Sequence, residues 1–329
     1  MQSYWMQMTD TDTVLELRDS PVPTPEPKQL LVRMRAAALN RGEFLLGHGL
    51  HGTPGSWKAI GGEGAGEVVA VGAEVSGFKP GDRVMGRCPG AFSEFAVMES
   101  AEAMLVSPGL SWEAAASVPL TFLVAFDMLV LQGHLKAGEW LLINGVSSGV
   151  GVASLQLGKA LGAHVIGTSG SADKLAALQP LGLDLALHTR AADFAPAVMA
   201  ATDQRGANLI VNTVGGSVFA ENIRALAFEG RLATVGYVDG VVHADIDLEA
   251  LHAKRLTLFG VSNKLRSKSQ RAAAVPRFVA EVMPHIEAGR IEPRIDRVMD
   301  FAELKAAKAR MEAGAHIGKI VLRMPAGTP

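Results

Sequence analysis

Residues 140–151, Trp-Leu-Leu-Ile-Asn-Gly-Val-Ser-Ser-Gly-Val-Gly, join a short apolar run to a loop of mostly small residues. The segment that follows, Val152-Ala153-Ser154-Leu155-Gln156-Leu157, is patterned as a helix. A strand, a tight loop and a helix N-terminus aim free backbone N–H groups and the positive end of the helix dipole at one spot, which suits an anion. The small residues around Ser147, Ser148, Gly149 and Val150 let a pyrophosphate come close to the backbone, so the chemistry indicated is dinucleotide binding. The full fingerprint is G-x-G-x-x-G, and in its register stand Val146, Ser148 and Gly151. Two of its three glycines are replaced, and a bare strand-to-helix turn that binds nothing has the same outline.

The next apolar run, Ala163-His164-Val165-Ile166-Gly167-Thr168, begins where a βαβ unit places its second strand. A site for NAD(H) calls for an acid at the end of that strand, to accept from the ribose 2′-hydroxyl. The strand ends instead in Thr168-Ser169-Gly170-Ser171, and Lys174 opens the helical segment 172–179. Hydroxyls and a cation suit a 2′-phosphate, so NADPH is expected rather than NADH. Asp173, beside Lys174, argues mildly the other way, and a solvated surface lysine is the plainer reading of Lys174.

The elements that must position these residues follow a change of pattern along the chain. As far as about Pro119, apolar runs are short and broken by turn signals such as Gly61-Gly62 and Gly77-Phe78-Lys79-Pro80-Gly81-Asp82, which describes a β-rich domain. From Leu120 strand and helix alternate, with later strands at 207–214, 231–236 and 255–261 and a helix at 217–228 ended by Glu229-Gly230. The fold class is therefore α/β, with a β-rich domain over 1–119 and a doubly wound parallel sheet over 120–262. Residues 263–329 supply helices and two short strands that return to the first domain. At 329 residues the chain has room for two domains with substantial cores.

A net charge of −2 gives no electrostatic reason to expect nucleic acid or an anionic membrane. No apolar run reaches transmembrane length, the first ten residues lack a signal-peptide pattern, and a single cysteine, Cys88, forms no internal disulfide. A cytoplasmic protein is expected.

Four motifs carry a resemblance: Gly62-Glu63-Gly64-Ala65-Gly66-Glu67-Val68, Phe78-Lys79-Pro80-Gly81-Asp82-Arg83-Val84, Gly90-Ala91-Phe92-Ser93-Glu94-Phe95 and Ser148-Gly149-Val150-Gly151. In this order they resemble the medium-chain dehydrogenase/reductase superfamily, which joins a GroES-like β-domain to a Rossmann domain. Within it the chain looks most like the zinc-independent NADPH:quinone oxidoreductase (zeta-crystallin-like) branch, over about residues 8–322. Zinc-dependent relatives carry a Cys where this chain has Asn40, a His where it has Gly62, and a four-Cys lobe after Gly81-Asp82-Arg83-Val84, where only Cys88 stands. Three protein ligands are needed for a catalytic zinc, so no metal site is expected. His48 and His51 lack a third ligand and read as a polar loop; Cys88 reads as a small buried or loop thiol.

The resemblance implies that Asn40 lines the cleft between nicotinamide and acceptor, where its amide could donate to an acceptor carbonyl; an Asn capping a local turn is the alternative. Glu43 and Arg41 are weaker candidates, and Glu63 reads as a structural acid. It also implies cofactor contacts at Thr121, Val214, Gly215, Gly236, Tyr237, Val261 and Asn263, with Lys319 approaching the pyrophosphate. Departures are Thr189, beside Arg190, where relatives have a tyrosine near the 2′-phosphate; Val124 in place of a cofactor-binding threonine; and Asn212 in place of a frequent Asp.

Without zinc, direct hydride transfer to an electron-poor acceptor is the natural chemistry, and the protein must align the partners and exclude water. Three readings follow: a quinone reductase, a reductase of enones or 2-alkenals, and an NADPH-binding sensor or structural protein without turnover. The acceptor pocket falls in variable loops such as 44–57. Residues 255–261 should form the last strand of the parallel sheet, and an exposed apolar edge predicts a homodimer, as does the resemblance.

Overall fold

The computed structural model describes residues 1–9, 12–44 and 55–325. His48, His51 and most of the 44–57 loop lie outside the described residues. The chain divides into two compact units. One holds the described residues of Met1–Leu123, Lys264–Glu287 and Glu292–Pro329, and the other Val124–Asn263 with Ala288–Ile291.

The first unit is built on a seven-stranded sheet. Its path runs Ile295–Asp300, Lys319–Arg323, Gln29–Ala38, Glu63–Val71, Arg83–Arg87 and Ala103–Leu105, and Phe95–Glu99 also pairs with Gln29–Ala38. A second sheet of three strands orders Thr13–Asp19, Gln2–Met8 and Trp57–Ala59. Lys319–Arg323 lies antiparallel to Gln29–Ala38, with Val321 opposite Ala38. Leu30, Val32, Met34, Phe92 and Met98 fill the core that these strands share with Phe301 and Leu304. The register between Gln29–Ala38 and Glu63–Val71 shifts twice, and the glycines of the Gly62–Val68 motif explain why it can. A Cβ on Gly64 would stand 2.8 Å from Ala36 O, and one on Gly66 would strike Arg33 O. Only a backbone without side chains passes there.

The second unit is a six-stranded parallel sheet ordered Leu185–His188, His164–Ser169, Trp140–Asn144, Ala207–Asn212, Leu226–Thr234 and Thr257–Gly260. Counted along the chain this is 3-2-1-4-5-6, the doubly wound order of dinucleotide-binding sheets. Leu141, Leu142 and Ile143 are all fully buried, as a central strand covered on both faces requires. The order reverses beside Trp140–Asn144, so the crevice beyond the carboxyl ends of Trp140–Asn144 and Ala207–Asn212 is where the topology leaves room for a ligand.

The helix expected at 217–228 is shorter. A turn of 3-10 helix at Gly216–Val218 leads into Phe219–Ala225, and the chain is already a strand from Leu226. Ala207 pairs with Leu226 and Leu209 with Arg231, so a bulge absorbs the intervening residues, with Glu229 at φ +56. Helical spacing alone cannot reveal a strand that starts before its bulge. Among the described residues no helix is long and apolar enough to cross a membrane.

Candidate active site

In the second unit, the expected cofactor residues gather at the carboxyl ends of neighbouring strands. Gly145, at φ +73, makes the tight turn that the fingerprint assigns to its first glycine one position later. Its N–H donates to Thr168 Oγ1 at 3.3 Å, and Val146 N–H donates to Thr168 O at 3.1 Å, which ties the loop to the next strand. Val146 is tolerated because Gly167 yields the space: a Cβ on Gly167 would be 2.7 Å from Val146 Cγ1. Gly151 is indispensable, since its Cβ would fall 2.5 Å from Gly145 O.

Ser148 caps the helix Gly149–Ala160, its Oγ accepting from Gly151 N–H at 3.0 Å. The N–H groups of Gly149 and Val150 then have no acceptor within the helix, which leaves two donors and the dipole for an anion. That fits a pyrophosphate. The Ser148 oxygen is the acceptor in this cap, so its hydroxyl proton is left to donate to the anion.

Ser169 is buried, and its Oγ accepts from Ser171 N–H at 3.3 Å, while Ser171 Oγ accepts the backbone N–H of Lys174 at 3.4 Å. Asn212 shapes the turn at Val214 and Gly215. Its Oδ1 accepts from both N–H groups at 3.0 Å, and its Nδ2 donates to Gly215 O at 2.9 Å. A carboxylate could make only the first two bonds, so the amide closes the turn more completely than the Asp it replaces. Asp239 clamps the same loop by accepting from Ser217 N–H at 2.9 Å and from Val241 N–H at 2.9 Å. Gly236 lies against Thr213, Val261 is buried at the end of its strand, and Tyr237 is exposed. Asn144, at 0% exposure, has no hydrogen-bond partner for either side-chain atom.

In the first unit, Asn40, Glu43, Glu63 and Lys319 form one connected cluster. Asn40 Nδ2 donates to Glu43 Oε1 at 3.1 Å and to Glu63 Oε1 at 2.9 Å. Lys319 Nζ donates to Leu39 O, Asn40 Oδ1 and Glu63 Oε1, each at 2.7 Å. The acceptor-only Glu63 carboxylate and the donor-only Lys319 ammonium leave the Asn40 amide a single orientation. Glu63, at 0% exposure, also accepts from Leu120 N–H at 2.7 Å, which makes it the structural acid expected.

Three expectations change here. Both amide hydrogens of Asn40 are engaged, so donation to an acceptor carbonyl requires one of these bonds to open. The three donors of Lys319 are all used at 5% exposure, which leaves none for a pyrophosphate. Thr121 is likewise turned inward, its Oγ1 donating to Ser117 O at 3.0 Å.

Sequence reasoning underrated Glu43. Its carboxylate fills the place of a side chain at position 62, because a Cβ on Gly62 would stand 2.5 Å from Glu43 Oε1. Burial pushes the Glu43 acid up to about 7, against the opposing pull of the Asn40 hydrogen bond and the Lys319 charge. Glu43 Oε2 has no partner. Of the two readings of Cys88 the structure shows the buried one, with the thiol raised to about 12 by burial. Among the described residues no three His, Cys, Asp or Glu side chains are grouped to hold a metal ion.

The raised acid has a stability consequence. Between the ordinary glutamate value of 4.5 and about 7 the folded state holds the Glu43 proton more tightly than the unfolded chain does. The stability from this site is therefore present at low pH and lost as pH rises through about 7. Glu43→Gln, a permanently neutral mimic, should gain on the wild type by on the order of 2–3 kcal/mol between pH 5 and pH 8 in urea melts. A pH-independent difference between the two proteins would show that Glu43 ionises normally.

Comparison with known proteins agrees with both halves. A family model described as "Alcohol dehydrogenase GroES-like domain" matches residues 26–108, and one described as "Zinc-binding dehydrogenase" matches residues 149–279. The chain is 31% identical over 311 residues to the quinone oxidoreductase of Pseudomonas aeruginosa, covering 94% of this chain and 95% of that protein. It also matches polyketide synthases, of which it spans a small part, 12% of the length of one that is 32% identical over 305 residues. Among solved structures, mycobacterial Rv1454c complexed with NADPH superposes with a TM-score of 0.89 at 27% identity, covering 98% of this chain and all of that one. The CurK enoyl reductase superposes with a TM-score of 0.86 at 25% identity, covering 99% and 100%. With that fold and relatives similar along their whole length, the chain belongs to the medium-chain dehydrogenase/reductase superfamily, in its quinone-oxidoreductase-like branch.

Proposed function

We propose that this chain is an NADPH-dependent oxidoreductase that passes a hydride directly to a quinone without zinc. The observation that carries the reading is the pair of positions 40 and 62. Asn40 is locked between two carboxylates and an ammonium, and Gly62 faces a space already filled by Glu43, so neither position can supply a zinc ligand. The likeness to the Pseudomonas aeruginosa quinone oxidoreductase and to the NADPH complex of Rv1454c supports the acceptor and the cofactor.

The reduced nicotinamide supplies the hydride when bound, and the protein's part is binding, alignment and exclusion of water. Gly149 and Val150 N–H groups, with Ser147 and Ser148 beside them, hold the pyrophosphate. Thr168, Ser169 and Lys174 face the adenosine end. Val214 and Gly215, held by Asn212 and Asp239, line the nicotinamide half with Gly236, Tyr237, Val261 and Asn263. Asn40 orients the acceptor, its 3.1 Å bond to Glu43 being the longer of the two that its amide makes and the one to yield. A second reading, reduction of an enone or 2-alkenal with later protonation of the neighbouring carbon, draws support from the CurK enoyl reductase.

NADPH oxidation measured against a panel of quinones and 2-alkenals tests these readings. Steady turnover with quinones preferred is expected. A preference for alkenals would transfer the assignment to the second reading, and no turnover with any acceptor would leave a binding protein. Metal analysis of the purified protein should find far less than one zinc per chain, with turnover unchanged by chelator. Stoichiometric zinc and chelator-sensitive rates would overturn the mechanism.

We also propose a homodimer formed through Thr257–Gly260. This strand closes the parallel sheet on one side, no strand among the described residues pairs with its outer edge, and Leu258 is 36% exposed. Sedimentation equilibrium should show a dimer at micromolar concentration and weaker association for Leu258→Pro, which removes a ladder donor. A wild-type monomer under those conditions refutes the proposal.

A further inference from the structure

We infer that Arg190 is the residue that reads the 2′-phosphate of the dinucleotide, held in place by Gly170. The inference rests on the NADPH reading above and names the group that enforces it. Arg190 follows Leu185–His188, the strand that lies beside His164–Ser169 in register, with Ser169 opposite His188. Thr189 N–H donates to Ser169 O at 3.1 Å, so the backbone of the Thr189-Arg190 turn is docked on the end of the strand where an NAD-type site would carry its acid.

The Arg190 side chain runs back over Gly170. A Cβ at position 170 would stand 2.5 Å from Arg190 Cγ and 2.7 Å from its Cδ, and closer still to Nε. The aliphatic stem is thereby laid across the small-residue turn Ser169-Gly170-Ser171, and the fork is carried out along it. Arg190 is exposed, and no hydrogen bond or ion pair engages it among the described residues. Asp193, three residues on, accepts from Thr189 Oγ1 at 2.7 Å. A guanidinium with five donors and no partner, beside Ser169 and Ser171, is matched to the geometry of a phosphate dianion. A ribose 2′-hydroxyl offers it nothing comparable.

Gly170 therefore has two consequences. It leaves no acid to accept from a 2′-hydroxyl, and it gives the Arg190 stem its groove. Gly170 has a negative φ, so an alanine there is allowed by the backbone and acts only by pushing the stem aside.

Equilibrium titration of NADPH, NADH, 2′,5′-ADP and 5′-AMP onto the wild type, Arg190→Ala, Arg190→Lys and Gly170→Ala tests the inference without turnover. The wild type should prefer NADPH. Arg190→Ala should weaken NADPH and 2′,5′-ADP about tenfold to a hundredfold and leave NADH and 5′-AMP within about twofold. Unchanged NADH binding also certifies that the variant is folded. Arg190→Lys should recover part of the loss, and Gly170→Ala should weaken NADPH selectively in the wild type but add nothing to Arg190→Ala. A wild type that prefers NADPH while Arg190→Ala binds it unchanged, or loses NADPH and NADH equally, overturns the assignment alone. A wild type that binds NADPH and NADH alike overturns the cofactor reading and this assignment with it.

Discussion

The buried pair of Glu63 and Lys319, 2.7 Å apart, joins residues more than 250 positions apart in the chain. Taking both charges out of water carries a desolvation penalty of several kcal/mol per ion, and their attraction offsets it only when the remaining donors and acceptors are satisfied. They are satisfied here. Leu39 O and Asn40 Oδ1 take the other protons of the ammonium, and Leu120 N–H and Asn40 Nδ2 complete the carboxylate. The consequence is a fixed Asn40 side chain, a returning strand Lys319–Arg323 anchored on Gln29–Ala38, and a Glu63 that is unavailable as an acid. Removing either charge strands the other without a partner, a loss of about 3–5 kcal/mol for buried pairs.

Glu43 is the member of this cluster that stays adjustable. One of its carboxylate oxygens holds Asn40 and the other holds nothing, so the acid can gain or lose a proton near neutral pH without breaking the Glu63–Lys319 pair. Arg87 and Lys58 lie close enough to sense its charge. A titratable acid thus fills the space beside Gly62 and gives the cluster its adjustable charge.

The nucleotide-binding end shows how a degraded motif keeps its geometry. Positive φ sits at Gly145 instead of position 146, Gly167 accommodates Val146, and Gly151 retains the one contact that admits no side chain. The fingerprint as a string is two-thirds absent, yet the tight turn of its first glycine and the close contact of its third are both still made. The tasks have moved by one residue or onto a neighbouring strand.

Alternation of strand and helix, the missing acid after Thr168-Ser169 and the small-residue loop at 145–151 were legible from the chain alone, because periodicity and turn chemistry are local properties. The family motifs and the absence of zinc-ligand residue types at 40 and 62 were legible for the same reason. The partners of Asn40 were not, nor was the inward commitment of Lys319, since nothing local relates position 40 to 63 or 319. Nor could spacing reveal that Leu226–Thr234 begins before its bulge, or that Gly170 makes a groove for Arg190 from the neighbouring strand. Local sequence determined which chemistries this protein can support. Tertiary structure decided which side chains are left with free donors to carry them out, because hydrogen-bond satisfaction is settled only when distant segments meet.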